Sequence, residues 1–176
     1  MSKPYAIVFA GVPGSSKSII AHYLSCEFNL PIFNNDIIRS EVKEDLLAEN
    51  INIPHVLAEY NKRVVDRHEH VLDLQRPVIL DASVDRLWGT KTRQQLIDHG
   101  YDRYLISLDW SFEFMANLYA KTLRPKAIEQ LPGYQKQHET FLADYAQDIN
   151  LHLNDQDFIN RNILASEALQ KFLDRR

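Results

Sequence analysis

Short apolar runs alternate along this chain with longer segments in which apolar residues recur every three or four positions. A short run without polar alternation is typical of a strand buried on both faces. Such runs predict strands at residues 5–10, 31–34, 77–81 and 104–108, and a fifth, shorter strand around residues 158–159. The helical spacing predicts helices at residues 18–24, 54–75, 85–99, 112–123, 134–149 and 163–173, and one that begins near residue 36.

Strands separated by helices require crossover connections, which favour a parallel sheet with helices on both faces. The predicted fold class is therefore α/β. Residues 131–133, Leu-Pro-Gly, are expected to form a turn between two helices, because proline and glycine interrupt regular structure. No internal repeat or linker interrupts the pattern, so residues 1–176 are expected to form a single domain.

Composition narrows the class of protein. The chain has 176 residues, 45% of them hydrophobic, and a net charge of −4, which argues against a protein that coats nucleic acid or anionic membranes. Its one cysteine, Cys26, excludes an internal disulfide, and the seven histidines have no metal-binding spacing, so no metal held by protein ligands alone is expected. Without a membrane span or a signal peptide, the protein is expected in the cytoplasm, with its oligomeric state open.

The strongest chemical signal follows the first predicted strand, where a turn rich in glycine and serine leads into a helix. It consists of Gly11, Val12, Pro13, Gly14, Ser15, Ser16, Lys17 and Ser18. A phosphate chain requires backbone N–H groups at close approach, a cation near its outer phosphates and a hydroxyl for Mg²⁺. The segment supplies all three, so it predicts a nucleotide site in which Lys17 bridges the β- and γ-phosphates and Ser18 binds Mg²⁺. The alternative is an ordinary turn between a strand and a helix.

Ser16 departs from the usual phosphate-loop pattern, in which glycine directly precedes the lysine. Serine is small and keeps its N–H group, so the cradle of amides survives if serine adopts the required backbone angle. We therefore expect nucleotide binding to be retained.

Asp36 and Arg39 come at the start of the helix that follows the second strand. In a parallel sheet the carboxyl ends of neighbouring strands face one crevice, so Asp36 is expected to lie across from the phosphate loop. A carboxylate there accepts the proton of an attacking hydroxyl, and Arg39, one turn further along, binds the substrate. The simpler interpretation is structural, because the first helical turn favours aspartate and an arginine three residues later is a common surface partner.

Asp81 ends the third predicted strand. An acidic residue in this place in a phosphate-loop protein meets Mg²⁺, directly or through water. Asp81 could instead cap the following turn together with Ser83. Asp109, which ends the fourth strand, is a weaker candidate for the same role.

A basic group follows the helix predicted at residues 112–123. Lys121, Arg124 and Lys126 form a candidate mobile clamp that neutralises charge on a transferring phosphoryl group. The helix dipole also favours cations at this position without any function.

Several other polar and aromatic residues are given only structural roles. Arg93 is expected on the solvated surface, and residues 68–70, His-Glu-His, on a polar helix face. Trp88 and Trp110 are expected in apolar packing.

The spacing of these features resembles that of a group of small P-loop kinases with an ATP-binding domain of the AAA type. The group includes polynucleotide 5′-hydroxyl kinase, the zeta-toxin kinases, chloramphenicol phosphotransferase and gluconate kinase. Its members place the third strand between the first and second. The resemblance therefore implies a P-loop NTPase fold, with helices on both sides of a five-stranded parallel sheet in the order 2-3-1-4-5.

The resemblance also implies ATP and Mg²⁺ as cofactors, bound at residues 14–18. By position, Asp36 corresponds to the base, Arg39 to a substrate-binding arginine and Arg124 to the arginine of a helical lid around residues 121–138. Members often carry a second lid arginine where this chain has Lys121, which lacks the planar guanidinium fork.

The group does not determine the substrate, because its members phosphorylate nucleic-acid ends, sugars, nucleotide sugars and antibiotics. The leading interpretation is a kinase that transfers the γ-phosphoryl group of ATP to a hydroxyl of a small molecule or nucleotide. Phosphorylation of polynucleotide 5′ ends is disfavoured, because residues 36–49 carry five acidic residues against two basic ones. A nucleotide-binding regulatory module without turnover is the third interpretation.

Overall fold

The computed structural model describes residues 3–48, 53–85, 89–122 and 125–176 of the chain. Its strands are β1 (Tyr5–Ala10), β2 (Ile32–Asn34), β3 (Val78–Ser83), β4 (Asp102–Asp109) and β5 (Ile149–Asn154). They form one five-stranded sheet in the order β2-β3-β1-β4-β5, and each pair of neighbours is parallel. The predicted α/β class, parallel sheet and strand order are confirmed.

Helices cover both faces of the sheet. They are α1 (Lys17–Phe28), α2 (Asn35–Ala48), α3 (Ile53–Asp73), α4 (Gly89–Asp98), α5 (Phe112–Lys121), α6 (Pro125–Tyr145) and α7 (Arg161–Leu173). Ile7 and Phe9 of β1 pack in one buried cluster with α1 and α7, whereas Ala6 and Val8 pack in another with α3 and α4. None of the helices in the described ranges is long and apolar enough to cross a membrane.

The position of β3, between β1 and β2, determines which residues meet at the carboxyl edge of the sheet. Asn34 at the end of β2 is in register with Asp81 of β3, and β1 leads at the same edge into the phosphate loop. Polar residues from three strands are therefore brought to one place, as expected for ligand sites in parallel sheets.

The predicted strand at residues 158–159 is wrong, because the fifth strand forms earlier in the chain. The even-numbered residues of β5 are exposed whereas Leu153 is buried, an alternation typical of a strand with one face on the core. The helix predicted over residues 134–149 ends at Tyr145, and a short 3-10 turn at Ala146–Asp148 separates it from β5. The predicted helix thus extends four residues too far, and the sequence pattern assigns no element to residues 150–154, because the polar alternation of this edge strand differs from the apolar runs of the other strands.

The predicted turn at residues 131–133 is also wrong, since α6 runs through it with Pro132 inside the helix. A proline in a helix interior costs about 3 kcal/mol. Full burial of Leu131 contributes about 1.5–3 kcal/mol in the opposite direction. Phe141, further along α6, is buried in the cluster on the other side of the sheet, so packing on both sides of the proline holds α6 in place.

Two side chains predicted at the surface are withdrawn from solvent. His68 is only 1% exposed, and the guanidinium of the half-buried Arg93 lies 3.7 Å from the ring centroid of Tyr145. Trp110 is buried as predicted, and Trp88 lies outside the described residues. Burial of His68 and Arg93 follows from the packing of α3 and α4 on the sheet, which the sequence of either helix alone does not reveal.

Candidate active site

The phosphate loop begins at Gly11, where the backbone leaves no space for a side chain. Its φ is 141°, and a Cβ would lie 2.9 Å from the carbonyl oxygen of Leu108. The Gly11 N–H donates to Oδ2 of the buried Asp85 at 2.8 Å, and the Gly11 carbonyl accepts from Lys17 Nζ at 2.7 Å. Glycine is therefore required at this position, and both of its backbone polar groups are satisfied.

Gly14 and Ser16 lead the loop into α1 through left-handed backbone angles, with φ of 74° and 78°. Glycine adopts such an angle freely, whereas other L residues do so at a cost of about 1–2 kcal/mol. Ser16 thus takes the conformation that glycine would take, and the departure from the usual pattern is accommodated as local backbone strain.

Two aromatic side chains hold the loop from behind. Trp110 Nε1–H donates to the carbonyl oxygen of Ser15 at 2.7 Å, and the Tyr119 hydroxyl donates to the carbonyl oxygen of Pro13. A peptide whose carbonyl points into the protein presents its N–H on the opposite side. The loop is therefore arranged in advance to offer amides to an anion.

A buried histidine–aspartate pair connects α6 to the start of the loop. His138 Nδ1 lies 2.8 Å from the same Asp85 oxygen that accepts from Gly11, and the two side chains are 4% and 3% exposed. One carboxylate oxygen of Asp85 therefore contacts both the loop and α6. Because α6 belongs to the segment predicted as a lid, this pair ties the later part of that segment to the phosphate loop.

Lys17 and Ser18, the first residues of α1, lie at the mouth of the loop. Lys17 Nζ donates to the carbonyl oxygens of Gly11 and Val12, each at 2.7 Å. Ser18 Oγ donates to Asp81 Oδ1 at 3.1 Å. A hydroxyl and a carboxylate thus converge beside a cation, and these are the hard oxygen ligands that Mg²⁺ prefers.

Asp81 occupies a partly desolvated position within β3. Burial raises the pKa of Asp81 above its usual value, the hydrogen bond from Ser18 and the charge of Lys17 lower it, and the charge of Asp36 raises it. Asn34 Nδ2 also donates to Asp81 Oδ2 at 3.0 Å. A carboxylate in such surroundings gains from a nearby divalent cation, so Ser18 and Asp81 fit a magnesium ion.

Asp36 lies in the first turn of α2, where its backbone N–H donates to Asn34 Oδ1 at 2.7 Å. Its carboxylate is 75% exposed and lies 3.3 Å from Arg39 Nη1. The Arg39 guanidinium in turn lies over the ring of Tyr60 in α3, 5.2 Å from its centroid. The start of α2 is therefore capped by Asn34, which leaves the Asp36 carboxylate free of a capping role.

One cavity of about 510 Å³ joins these groups. Its lining includes, from the loop and β3, Pro13, Gly14, Lys17, Ser18 and Asp81, and, from α2, α3 and α4, Asp36, Arg39, Tyr60, Asn61, His68, Lys91, Thr92 and Gln95. The size suits a small molecule. Five sequence-predicted side chains, those of Lys17, Ser18, Asp36, Arg39 and Asp81, therefore meet in one space.

Other predicted residues lie away from this cavity. Asp109 Oδ2 is 3.2 Å from His152 Nε2 and its other oxygen is 4.0 Å from His138 Nε2, so it contributes to the network behind the loop. Lys121 and Lys126 are exposed at the end of α5 and the start of α6. Arg124 lies outside the described residues.

Sequence reasoning missed the residues that support the loop, Asp85, His138, Trp110 and Tyr119. Each contacts the loop or its partner across a long stretch of chain, with separations of 53 to 106 residues. No local pattern signals such a contact. His68 and Gln95 were also missed, because a histidine and a glutamine on helices are ordinary surface residues until the helices are packed.

No protein-family model matches the chain, and the search of curated proteins found no match. Solved structures do share its architecture. A gluconokinase from Sinorhizobium meliloti 1021 is similar with a TM-score of 0.66 and 16% sequence identity, over 99% of this chain and 97% of that chain. An unliganded sugar kinase from Janibacter sp. HTCC2649 is similar with a TM-score of 0.63 and 18% identity, over 97% and 95% of the two chains.

The APS kinase of Mycobacterium tuberculosis, solved in complex with AMPPNP and APS, is similar with a TM-score of 0.51 and 15% identity, over 97% of this chain and 99% of that chain. At these identities the similarity concerns the fold alone. The chain has the fold of small P-loop kinases.

Proposed function

We propose that this protein is an ATP- and Mg²⁺-dependent kinase that transfers the γ-phosphoryl group to a hydroxyl of a small molecule or nucleotide. The observation that carries the proposal is the cavity into which both the phosphate loop and the pair of Asp36 and Arg39 open. A nucleotide bound by the loop would direct its terminal phosphate toward that pair, with room between them for an acceptor hydroxyl. The fold shared with known kinases supports the proposal.

Asp36 is the proposed general base. Its carboxylate takes the proton of the acceptor hydroxyl while the hydroxyl oxygen bonds to the γ-phosphorus. The bond from that phosphorus to the bridging oxygen of the β-phosphate then breaks, and ADP leaves. Arg39, which lies 3.3 Å from Asp36, orients the carboxylate and contacts the acceptor.

The loop from Gly11 to Ser18 binds the phosphates. Its amides and Lys17 stabilise negative charge on the transferring group, because they are fixed before the reaction begins. Ser18 and Asp81 would hold Mg²⁺, which neutralises phosphate charge when bound. Asp81 has a raised pKa mainly because of burial, so a cation beside it favours its ionised form.

The lid of this kinase is proposed at residues 121–138, with Arg124 adding positive charge at the transferring phosphoryl group. Lys121 and Lys126 are exposed on either side of Arg124 and would contribute to the same clamp. Leu131 and His138 are buried and anchor the later part of the segment. Closure is therefore expected to involve mainly the residues before Leu131.

Small-molecule acceptors are favoured over nucleic acid. The solved gluconokinase, sugar kinase and APS kinase are named for small substrates. The protein carries a net charge of −4, and α2 beside the cavity is acidic, so a polyanion gains no electrostatic attraction at this entrance. Polynucleotide 5′-end phosphorylation and nucleotide binding without turnover are the alternatives that an experiment must separate.

Transfer of ³²P from [γ-³²P]ATP to sugars, nucleosides, nucleotide sugars and 5′-hydroxyl oligonucleotides tests the proposal, with Lys17→Ala as the control. We expect Mg²⁺-dependent labelling of a small molecule or nucleoside that falls at least about tenfold in the variant. Labelling of oligonucleotides alone would select the polynucleotide alternative. Nucleotide binding without labelling of any acceptor would indicate a regulatory module, and absence of binding would overturn the proposal.

A further inference from the structure

The start of α4 forms part of the wall of the cavity. Lys91 and Thr92 belong to the first four residues of this ten-residue helix, and both line the same space as Asp36 and Arg39. The first four N–H groups of an α-helix have no partner within the helix, and the helix dipole places partial positive charge at this end. The first turn of α4 contains no acidic residue, so its side chains do not offset that charge.

Thr92 is a buried polar side chain without a partner. The residue is 7% exposed, and in the described part of the chain its hydroxyl makes no hydrogen bond. Unlike the unpartnered Nε2 of His68, which is fully enclosed, the Thr92 hydroxyl keeps accessible surface. Because Thr92 lines the cavity, a ligand there can supply the missing hydrogen bond.

Lys91 adds a full positive charge to the same turn. Among the described residues that line the cavity, the cations are Lys17, Arg39 and Lys91, and the carboxylates are Asp36 and Asp81. The proposed nucleotide and Mg²⁺ engage Lys17 and Asp81, so the acceptor side keeps two cations and one carboxylate. One positive charge therefore remains, which a ligand with a single negative charge would balance.

The helix that carries these groups is held firmly on α3. Gln95 Nε2 donates to Glu69 Oε1 at 2.6 Å, and His99 Nε2 lies 3.0 Å from Glu69 Oε2. Gln95 follows Thr92 by about one turn and is itself buried. The first turn of α4 is thus positioned before a ligand arrives, which lowers the entropic cost of binding.

We propose that the first turn of α4 binds a carboxylate of the acceptor, with Lys91 as the cation and the Thr92 hydroxyl as a hydrogen-bond donor. This inference rests on the proposed function, in which a hydroxyl of the same acceptor receives the phosphoryl group near Asp36. The acceptor class is therefore a small hydroxy acid with one carboxylate. A neutral polyol of similar shape leaves Thr92 unpaired and the positive charge unbalanced.

Matched pairs of probes test the acceptor class. The pairs are D-gluconate with D-glucitol, D-glycerate with glycerol, and shikimate with its methyl ester, and D-glucose 6-phosphate is added as a phosphate-bearing probe. We expect the wild type to phosphorylate at least one of the acids, with a kcat/KM at least about tenfold higher than for its neutral partner. This ratio corresponds to one hydrogen bond to a charged group.

Variants at the two positions separate an anion contact from a structural role. Lys91→Met removes the charge and Thr92→Val removes the hydroxyl, whereas Lys91→Arg and Thr92→Ser keep these groups. Lys171→Met is the matched control, because Lys171 is exposed on α7. A melting curve checks the fold of each variant.

The expected result is a loss confined to the acid. Its KM should rise at least about tenfold in Lys91→Met and about three- to tenfold in Thr92→Val. The kcat/KM for the neutral partner and the KM for ATP should stay within about twofold in both. The variants Lys91→Arg, Thr92→Ser and Lys171→Met should remain within about threefold of the wild type for the acid.

Each contrary result has a distinct meaning. An unchanged KM for the acid in Lys91→Met, or equal losses for the acid and its neutral partner, overturns the carboxylate contact. MgAMPPNP binding with no acid phosphorylated, or with a neutral probe or D-glucose 6-phosphate preferred over every acid, overturns the acceptor class but not the nucleotide site. Failure to bind MgAMPPNP overturns the proposed function itself.

Discussion

The two sides of the cavity are built in different ways. On the phosphate-loop side, the backbone itself is held, with Asp85, Trp110 and Tyr119 each bonded to a loop peptide group. On the opposite side, α2 presents exposed side chains, and those of Asp36 and Arg39 are 75% and 52% exposed. The first side is therefore fixed before a ligand arrives, whereas the second offers charged groups that a ligand can rearrange.

The energetics of the two sides differ for the same reason. Breaking a buried polar contact leaves partners unsatisfied and is costly. The contacts that join α2 to α3 include the exposed ion pair between Arg67 and Glu41, at 2.6 Å, and exposed pairs contribute about 0–1 kcal/mol. We infer that the fold specifies phosphate binding strongly and leaves acceptor recognition to a few side chains.

The largest expected effect on nucleotide binding is on the loop side, from Lys17→Ala. The variant removes the cation that lies within the loop, so we expect the Kd for MgAMPPNP to rise about tenfold to a hundredfold, the worth of a charged hydrogen bond. Isothermal titration calorimetry measures the affinity and a melting curve checks the fold. Lys171→Ala, at an exposed position of α7, should bind like the wild type. Equal affinity for MgAMPPNP in both variants would contradict the role of the loop in nucleotide binding.

Asp85→Ala compares the stability of the two sides. It leaves the Gly11 N–H and His138 without their buried partner, so we expect the free energy of unfolding to fall by about 3 kcal/mol. Arg67→Ala removes an exposed ion pair on the acceptor side and should cost less than about 1 kcal/mol. Urea denaturation measures the loss of unfolding free energy in both variants. Similar losses would contradict the expectation that buried contacts stabilise the loop side more than the acceptor side.

Asp81→Asn tests the carboxylate that lines the cavity between the phosphate loop and α2. Burial raises the pKa of Asp81 in the folded protein above its ordinary value of 3.8. The protonated carboxyl therefore contributes its full stabilisation below pH 3.8, and this contribution is lost as the pH rises through the raised pKa. The asparagine variant should therefore gain stability relative to the wild type as the pH rises from about 4 toward 7. Denaturation over this pH range measures the gain. Mg²⁺ together with AMPPNP should stabilise the wild type more than the variant, and a gain that shrinks with rising pH would contradict the assignment.

The smallest effect is expected from Ser16→Gly, which relieves the left-handed backbone angle. Relief of about 1–2 kcal/mol is partly offset by the larger entropy of glycine in the unfolded chain, so a net gain of up to about 1 kcal/mol is expected. Nucleotide affinity should be equal or higher. A large loss of affinity would reveal a contact made by the serine hydroxyl.

Elements that depend only on residues adjacent in the chain could be predicted from the sequence. The buried run of β1, the phosphate loop and the start of α1 follow from residues that are neighbours in the chain. The strand order followed from the resemblance to P-loop kinases, since residue pattern alone does not say that β3 lies between β1 and β2. Lys17, Ser18, Asp36, Arg39 and Asp81 share one cavity because that order brings their strands together.

The errors have physical causes. Pro132 indicates a turn from local chemistry, but burial of Leu131 and of Phe141, one on each side of the proline, offsets the cost of proline inside α6. His68 has the composition of a surface position and becomes buried only when α3 packs against the sheet and α4. The sequence predicts Asp85 at the start of a helix, whereas in the structure its carboxylate accepts a hydrogen bond from the N–H of Gly11, 74 residues away. Contacts of this range depend on the assembled fold.

The most direct test of the central claim, that one cavity unites a nucleotide site with an acceptor site, is Asp36→Asn measured for binding and turnover in parallel. Asparagine keeps the shape of the side chain, and Asn34 rather than Asp36 caps α2, so stability and the Kd for MgATP should be nearly unchanged. Phosphoryl transfer to the acceptor should fall by about two to four orders of magnitude, because the amide cannot take a proton. Turnover that survives within a few-fold would contradict the account and make Asp36 a structural residue.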